Sequence, residues 1–145
     1  MRLILTFFLL SSILFGQDLT LLRKNLELAP ANKTVCEQMI QSIPSSTTKP
    51  IYLAYLGAYQ TIWANHVINP FSKLSTFNKG KKNLQKAVAM DSNDVEIRFL
   101  RYSIQKNAPK FLGYSSDLAE DKKFIESHLD EVKSSELKSL INSIL

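Results

Sequence analysis

Apolar residues recur along this chain at three- and four-residue intervals, and the two-residue alternation of a half-buried strand is almost absent. The pattern predicts an all-α protein. Leu19, Leu22 and Leu26 share one face of a helix that Asp18 can cap and Pro30 ends. Thr34-Val-Cys-Glu37 has capping-box spacing, with Asn32 an equally good start, and Val35, Met39 and Ile40 form the apolar side of a second helix closed by Pro44. Ser45 to Lys49 is a polar linker. Pro50 fits the first turn of a third helix, where its missing N–H costs nothing.

That third helix, to about His66, is the most hydrophobic after the N-terminal segment and is expected to be central. At 100° per residue, Tyr52, Tyr55, Tyr59 and Trp63 fall within an arc of roughly 80°. Asn69-Pro70 forces a break. Ser72 can cap a fourth helix with Leu74, Phe77, Leu84 and Val88 inside, and Asp91-Ser-Asn-Asp94 turns the chain into a fifth, over Val95–Gln105, burying Ile97, Leu100 and Ile104. Asn107 to Tyr114 reads as a loop. Asp117 with Glu120 opens a sixth helix carrying Leu118, Phe124, Ile125 and Leu129. Ser134 opens the last, where Leu137, Leu140, Ile141, Ile144 and Leu145 keep the helical period. The expectation is a helical-hairpin stack of about seven helices, with Leu84, Val88, Ile97 and Leu100 meeting across the Asp91–Asp94 turn.

Leu84-Gln-Lys-Ala-Val-Ala-Met-Asp-Ser-Asn-Asp94 resembles the end of a tetratricopeptide repeat, a helix–turn–helix unit with a Leu-Gly-x-x-Tyr pattern, a later Ala-x-x-x-Phe and a closing Pro. Leu56-Gly57 matches the Leu-Gly pair, Gly80 and Leu84 stand at the Ala and Phe places, and Ala87 takes the small site before the turn. The chain departs from the pattern at Leu53 (the Trp place), Gln60 (the Tyr place) and Ser92 (the Pro place), and the stretch between Gly57 and Gly80 is about twice the length the repeat allows. The resemblance lies around residues 52–105. It implies a TPR-like scaffold that binds proteins or peptides, and it carries over no binding residues.

The first sixteen residues have the layout of a secretory signal: Arg2, then Leu3–Leu10 and Ile13–Phe15, then the small Gly16. Cleavage there makes 1–16 a signal peptide and 17–145 a single domain, exported to the periplasm or secreted. The apolar stretch is shorter than the ~20 residues of a spanning helix, so an uncleaved anchor is the lesser alternative. Cys36 is the only cysteine, which excludes an intramolecular disulfide and suits a small buried hydrophobe.

Chemistry is thinly represented. Gly-rich phosphate loops, Gly-x-Ser-x-Gly, His-Glu-x-x-His and Cys-x-x-Cys are missing from the sequence, and no cofactor is implied. Asp121, His128 and Glu131 lie along one helix side, but one helix rarely closes a metal site, so no metal is assigned. The reading leans away from an enzyme.

Partner-binding candidates are the aromatic stripe Tyr52, Tyr55, Tyr59 and Trp63, with Phe71, Phe111 and Tyr114 from two loops. The alternative for the stripe and the loops is plain core. Lys73–Lys110 holds nine basic and three acidic residues, while 111–145 holds four basic and seven acidic. Lys79, Lys82 and Lys86 share a face that suits anionic headgroups, polysaccharide or an acidic protein, or serves solubility alone. Export argues against nucleic acid. The leading expectation is a non-enzymatic scaffold acting through protein or peptide contacts, with peripheral envelope contact open. The competing one is a small-ligand-binding protein or hydrolase of the envelope with a pocket at Tyr52, Tyr55 and Tyr59.

Overall fold

The computed structural model describes residues 14–145, with side chains from Leu19 onward. Seven α-helices follow in order: α1 (Leu14–Asn25), α2 (Lys33–Ser42), α3 (Pro50–Trp63), α4 (Pro70–Met90), α5 (Val95–Asn107), α6 (Leu118–His128) and α7 (Ser135–Ile144). Short 3-10 turns extend α3 and α6 and lie between α5 and α6. The fold is all-α, as the periodicity predicts. The expected signal segment lies almost wholly outside the described residues. Among them, no helix is long and apolar enough to cross a membrane.

Two helix starts differ from the sequence reading, and a third decides between its two alternatives. Helix α1 starts at Leu14, so Asp18 lies inside it and does not open it. Asn32 rather than Thr34 caps α2, its side chain accepting from the Val35 N–H. Asn69 rather than Ser72 caps α4, accepting from the N–H groups of Phe71 and Ser72, with Pro70 in the first turn. The break at Asn69-Pro70 is real, but Phe71 belongs to a helix and not to a loop. Ser134 caps α7 as expected, and Asp94, read only as part of the turn, caps α5; each accepts from a backbone N–H three residues on.

Helix α3 is central, with every residue from Leu53 to Ile62 buried. Its main neighbour is α4, and α2 and α5 pack on its other sides. The α3–α4 crossing is antiparallel and built on two glycines. A Cβ on Gly57 would stand 2.7 Å from the Gly80 carbonyl oxygen and 2.7 Å from the Leu84 backbone nitrogen. A Cβ on Gly80 would stand 2.5 Å from the Gly57 carbonyl oxygen. Only glycine lets two helix backbones approach this closely. Gln60 lies beside the crossing, its Oε1 accepting from Asn83 Nδ2 at 2.7 Å.

Leu84, Val88, Ile97 and Leu100 are all buried in the one core. Helix α6 packs on α5, and α7 packs on α1 and α5, so the last helix seals the first against the stack. Helix α5 is enclosed on all sides, with Glu96, Arg98, Arg101, Ser103 and Gln105 buried beside its apolar residues.

Candidate docking cleft

The aromatic stripe on α3 divides into two covered rings and two partly covered ones. Tyr55 and Tyr59 are 0% exposed. Tyr55 donates its hydroxyl to Glu96 Oε1 at 2.6 Å, and Arg23 grips the same carboxylate through Nε at 2.8 Å and Nη2 at 2.7 Å. Tyr59 donates to the Leu22 carbonyl at 2.5 Å. A partner-facing groove at Tyr55 and Tyr59 is therefore corrected: α1 and α5 close over both rings, and each hydroxyl finds its acceptor inside.

Burial, then the Glu96 charge, pushes the Tyr55 phenol well above its usual range. Tyr52 and Trp63 remain half-buried, with the Lys49 ammonium 5.9 Å from the Tyr52 ring and the Lys33 ammonium 5.5 Å from the indole. The expected pocket at Tyr52, Tyr55 and Tyr59 reduces to a recess of about 330 Å³ that Tyr52 lines with Leu22, Ile43 and Ser46–Lys49.

Tyr114 is also inside. Its ring meets Phe77 edge-on at 6.0 Å, and its hydroxyl accepts from Gln85 Nε2 at 3.1 Å. This corrects its place among partner-binding residues, because the α5–α6 loop folds back and plugs the stack there. Behind it lies a polar cluster that periodicity missed. Asp121 is 0% exposed, 2.6 Å from Arg98 Nε and 2.7 Å from Arg101 Nε. Asp117 accepts from Gln105 Nε2 at 2.8 Å and Gln85 Nε2 at 3.3 Å. Burial works against ionisation of Asp117, but those hydrogen bonds and the Arg101 charge outweigh it and hold the carboxyl below the usual carboxylate range. The available signal was the acidic run Asp117, Glu120, Asp121 facing Arg98 and Arg101.

The groups with reactive potential are engaged in structure. Burial pushes the Cys36 thiol up to about 12, and its Sγ donates to the Tyr59 carbonyl at 3.4 Å. His66 Nε2 lies 2.8 Å from the Ala29 carbonyl, and the His128 ring stacks on Phe124 at 4.0 Å. Asp121, His128 and Glu131 are not assembled as a metal set, because Asp121 belongs to the two arginines. Among the described residues no group of three His, Cys, Asp or Glu is placed to hold an ion.

The open feature lies elsewhere. A cleft of about 680 Å³ opens where the ends of α1 and α3, the start of α4, the end of α5 and the end of α7 converge. Leu26, Ile62, Leu74, Phe77, Ile104 and Leu112 line it, with Glu27 and Lys73 its charged groups. Several of its polar residues are satisfied internally: Thr61 donates to the Ala58 carbonyl, Asn107 to the Ser103 carbonyl, and Ser143 to Glu27 and the Leu140 carbonyl. Phe111 stands on its rim and is exposed; Phe71, next to the rim residue Pro70, is exposed as well. Those two candidates are thus brought to one end of the molecule, and neither plugs a helix end. Lys79, Lys82 and Lys86 are exposed on the outer side of α4. The chain matches no family model, no curated protein and no solved structure.

Proposed function

We propose that this chain is a non-enzymatic helical scaffold, exported by its N-terminal segment, that acts by holding a protein partner. The observation that carries the reading is the apolar cleft of about 680 Å³ at the mouth of α3, α4 and α5. Its volume lies in the range of ligand-sized sites. The partner element best matched to it is an amphipathic helix. A helix satisfies its own backbone, whereas an extended peptide needs acceptors and donors along its length. The wall of the cleft is mainly aliphatic and aromatic, and the hydroxyl protons of Thr61 and Ser143 and one amide proton of Asn107 are already donated within the protein. The tetratricopeptide likeness belongs to this proposal and is supported by the contact of Gly57 with Gly80, the residues at the repeat's Gly and Ala places.

A photoreactive amino acid at position 74 tests this in cells that make the protein, with position 86 as the control. Leu74 lines the cleft, and Lys86 is exposed on α4 away from it. The expected result is a discrete protein adduct at 74 and none at 86, mapping to an amphipathic helical segment and lost when Leu112→Glu charges the cleft. Equal labelling at both positions, or no protein adduct at 74, contradicts the reading.

A further inference from the structure

Three large apolar side chains project from the cleft end without covering anything. Ile68 is 96% exposed, Phe71 85% and Phe111 87%. Ile68 lies in the α3–α4 connection, Phe71 sits in the first turn of α4, and Phe111 is in the 3-10 turn Lys110–Leu112 after α5. Pro70, the neighbour of Phe71, and Phe111 line the same cleft, which brings the two phenylalanines to one end of the molecule, with Ile68 two residues before Pro70. Water-exposed phenylalanines grouped on one face mark an interaction surface.

The charge around them is one-sided. From Gln38 to Met90 and from Phe99 to Ser116 the sequence contains no acidic residue. Both sets of tips fall within these stretches. Lys73 and Lys110 are exposed, two residues after Phe71 and one before Phe111. Glu27, which lines the cleft and accepts from Ser143, is the acidic exception at this end.

We infer that this end of the molecule docks on an anionic lipid bilayer, with Ile68, Phe71 and Phe111 entering the headgroup region and Lys73 and Lys110 meeting lipid phosphates. Apolar side chains that enter the interface beside lysines that meet anionic lipid combine two attractions for one surface. A bilayer also fits the shape. The tips are separate protrusions flanking a concavity, and a fluid interface admits protrusions at any spacing, whereas a rigid protein partner needs a matched pocket for each. The inference rests on the tips and their lysines, not on the floor of the cleft that carries the proposed function.

The test places tryptophan at the tips of the full chain, as Phe71→Trp and Phe111→Trp on a Trp63→Phe background, with Lys86→Trp on the same background as the control. Vesicles of phosphatidylcholine with about one-third phosphatidylglycerol are compared with phosphatidylcholine alone, each with and without brominated acyl chains. Emission from both tip tryptophans is expected to shift to the blue and be quenched by brominated lipid in anionic vesicles. The control is expected to stay unchanged. Reading the position of each tryptophan separates tip insertion from any binding by the apolar N-terminal segment. Adding Lys73→Glu and Lys110→Glu should weaken the quenching response about tenfold or more, as should raised salt. Tip tryptophans that remain in water while the chain sits on vesicles overturn the inference, as does equal insertion into neutral lipid. A protein adduct at position 74 without vesicle insertion would overturn it while leaving the proposed function standing.

Discussion

Asp121 has no exposed surface and faces two guanidiniums, and Asp117 one turn earlier is held by Gln85, Gln105 and Arg101. Together they fasten α6 to α5. A carboxylate whose pKa is lower folded than unfolded stabilises the fold above its unfolded value, and that stabilisation is lost as pH falls through the folded value. Asp117 is held below its ordinary 3.8. Asp117→Asn should therefore lower the urea midpoint at pH 7, and the gap from the parent chain should close as pH falls below about 3.8. A gap unchanged between pH 7 and pH 2.5 would exclude this ionic role.

At this scale the sequence is legible where the signal is local. Asn32 and Ser134 are readable as caps because a cap involves only the next three residues. The burial of Arg98, Arg101 and Asp121 was hidden, because charges at helical spacing on a buried face and on a wet face look alike until the partner helix is known.

Between elements, the tightest constraint is the α3–α4 crossing. Alanine at Gly80 would put its Cβ 2.5 Å from the Gly57 carbonyl oxygen and 2.6 Å from the Thr61 backbone nitrogen, atoms that move only if a helix moves. Overpacking of side chains costs about 1–3 kcal/mol, and against backbone Gly80→Ala should cost about 3 kcal/mol or more by urea unfolding. That is comparable to Leu84→Ala, expected at about 2–5 kcal/mol for a fully buried leucine. A Gly80→Ala change below about 1 kcal/mol would mean that the two backbones are not this close. The helices themselves were readable from the apolar period, Pro44, Pro50 and the Asp91–Asp94 turn. The start of α4 was misplaced because Ser72 is as good a cap by residue type as Asn69. What separates them is Pro70, which suits the first turn of a helix that Asn69 caps.

The shape of the whole molecule decides which aromatic residues a partner can reach, and here the sequence was least informative. Tyr55 and Tyr59 are closed by α1 and α5, elements distant in sequence, and nothing within α3 announces it. The cleft is likewise made from the ends of α1, α3, α4, α5 and α7, so no contiguous segment bears its signature. Phe71 and Phe111 were readable as aromatics in expected loops, open to either a core or a docking role, and their exposure at one end depends on the α4–α5 hairpin.

The central claim is that the accessible apolar site is the cleft and not the α3 stripe. Titration with the anionic dye 1-anilinonaphthalene-8-sulfonate at neutral pH tests it most directly. The folded chain should bind the dye saturably, at about one per molecule, a size that the cleft accommodates. Ala108→Trp, which fills the cleft, should abolish binding with helicity and cooperative unfolding retained. Tyr55→Phe should bind dye normally while losing about 1–3 kcal/mol of stability with its hydrogen bond to Glu96. Absent dye binding, or binding that survives Ala108→Trp and disappears with Tyr55→Phe, would contradict the account.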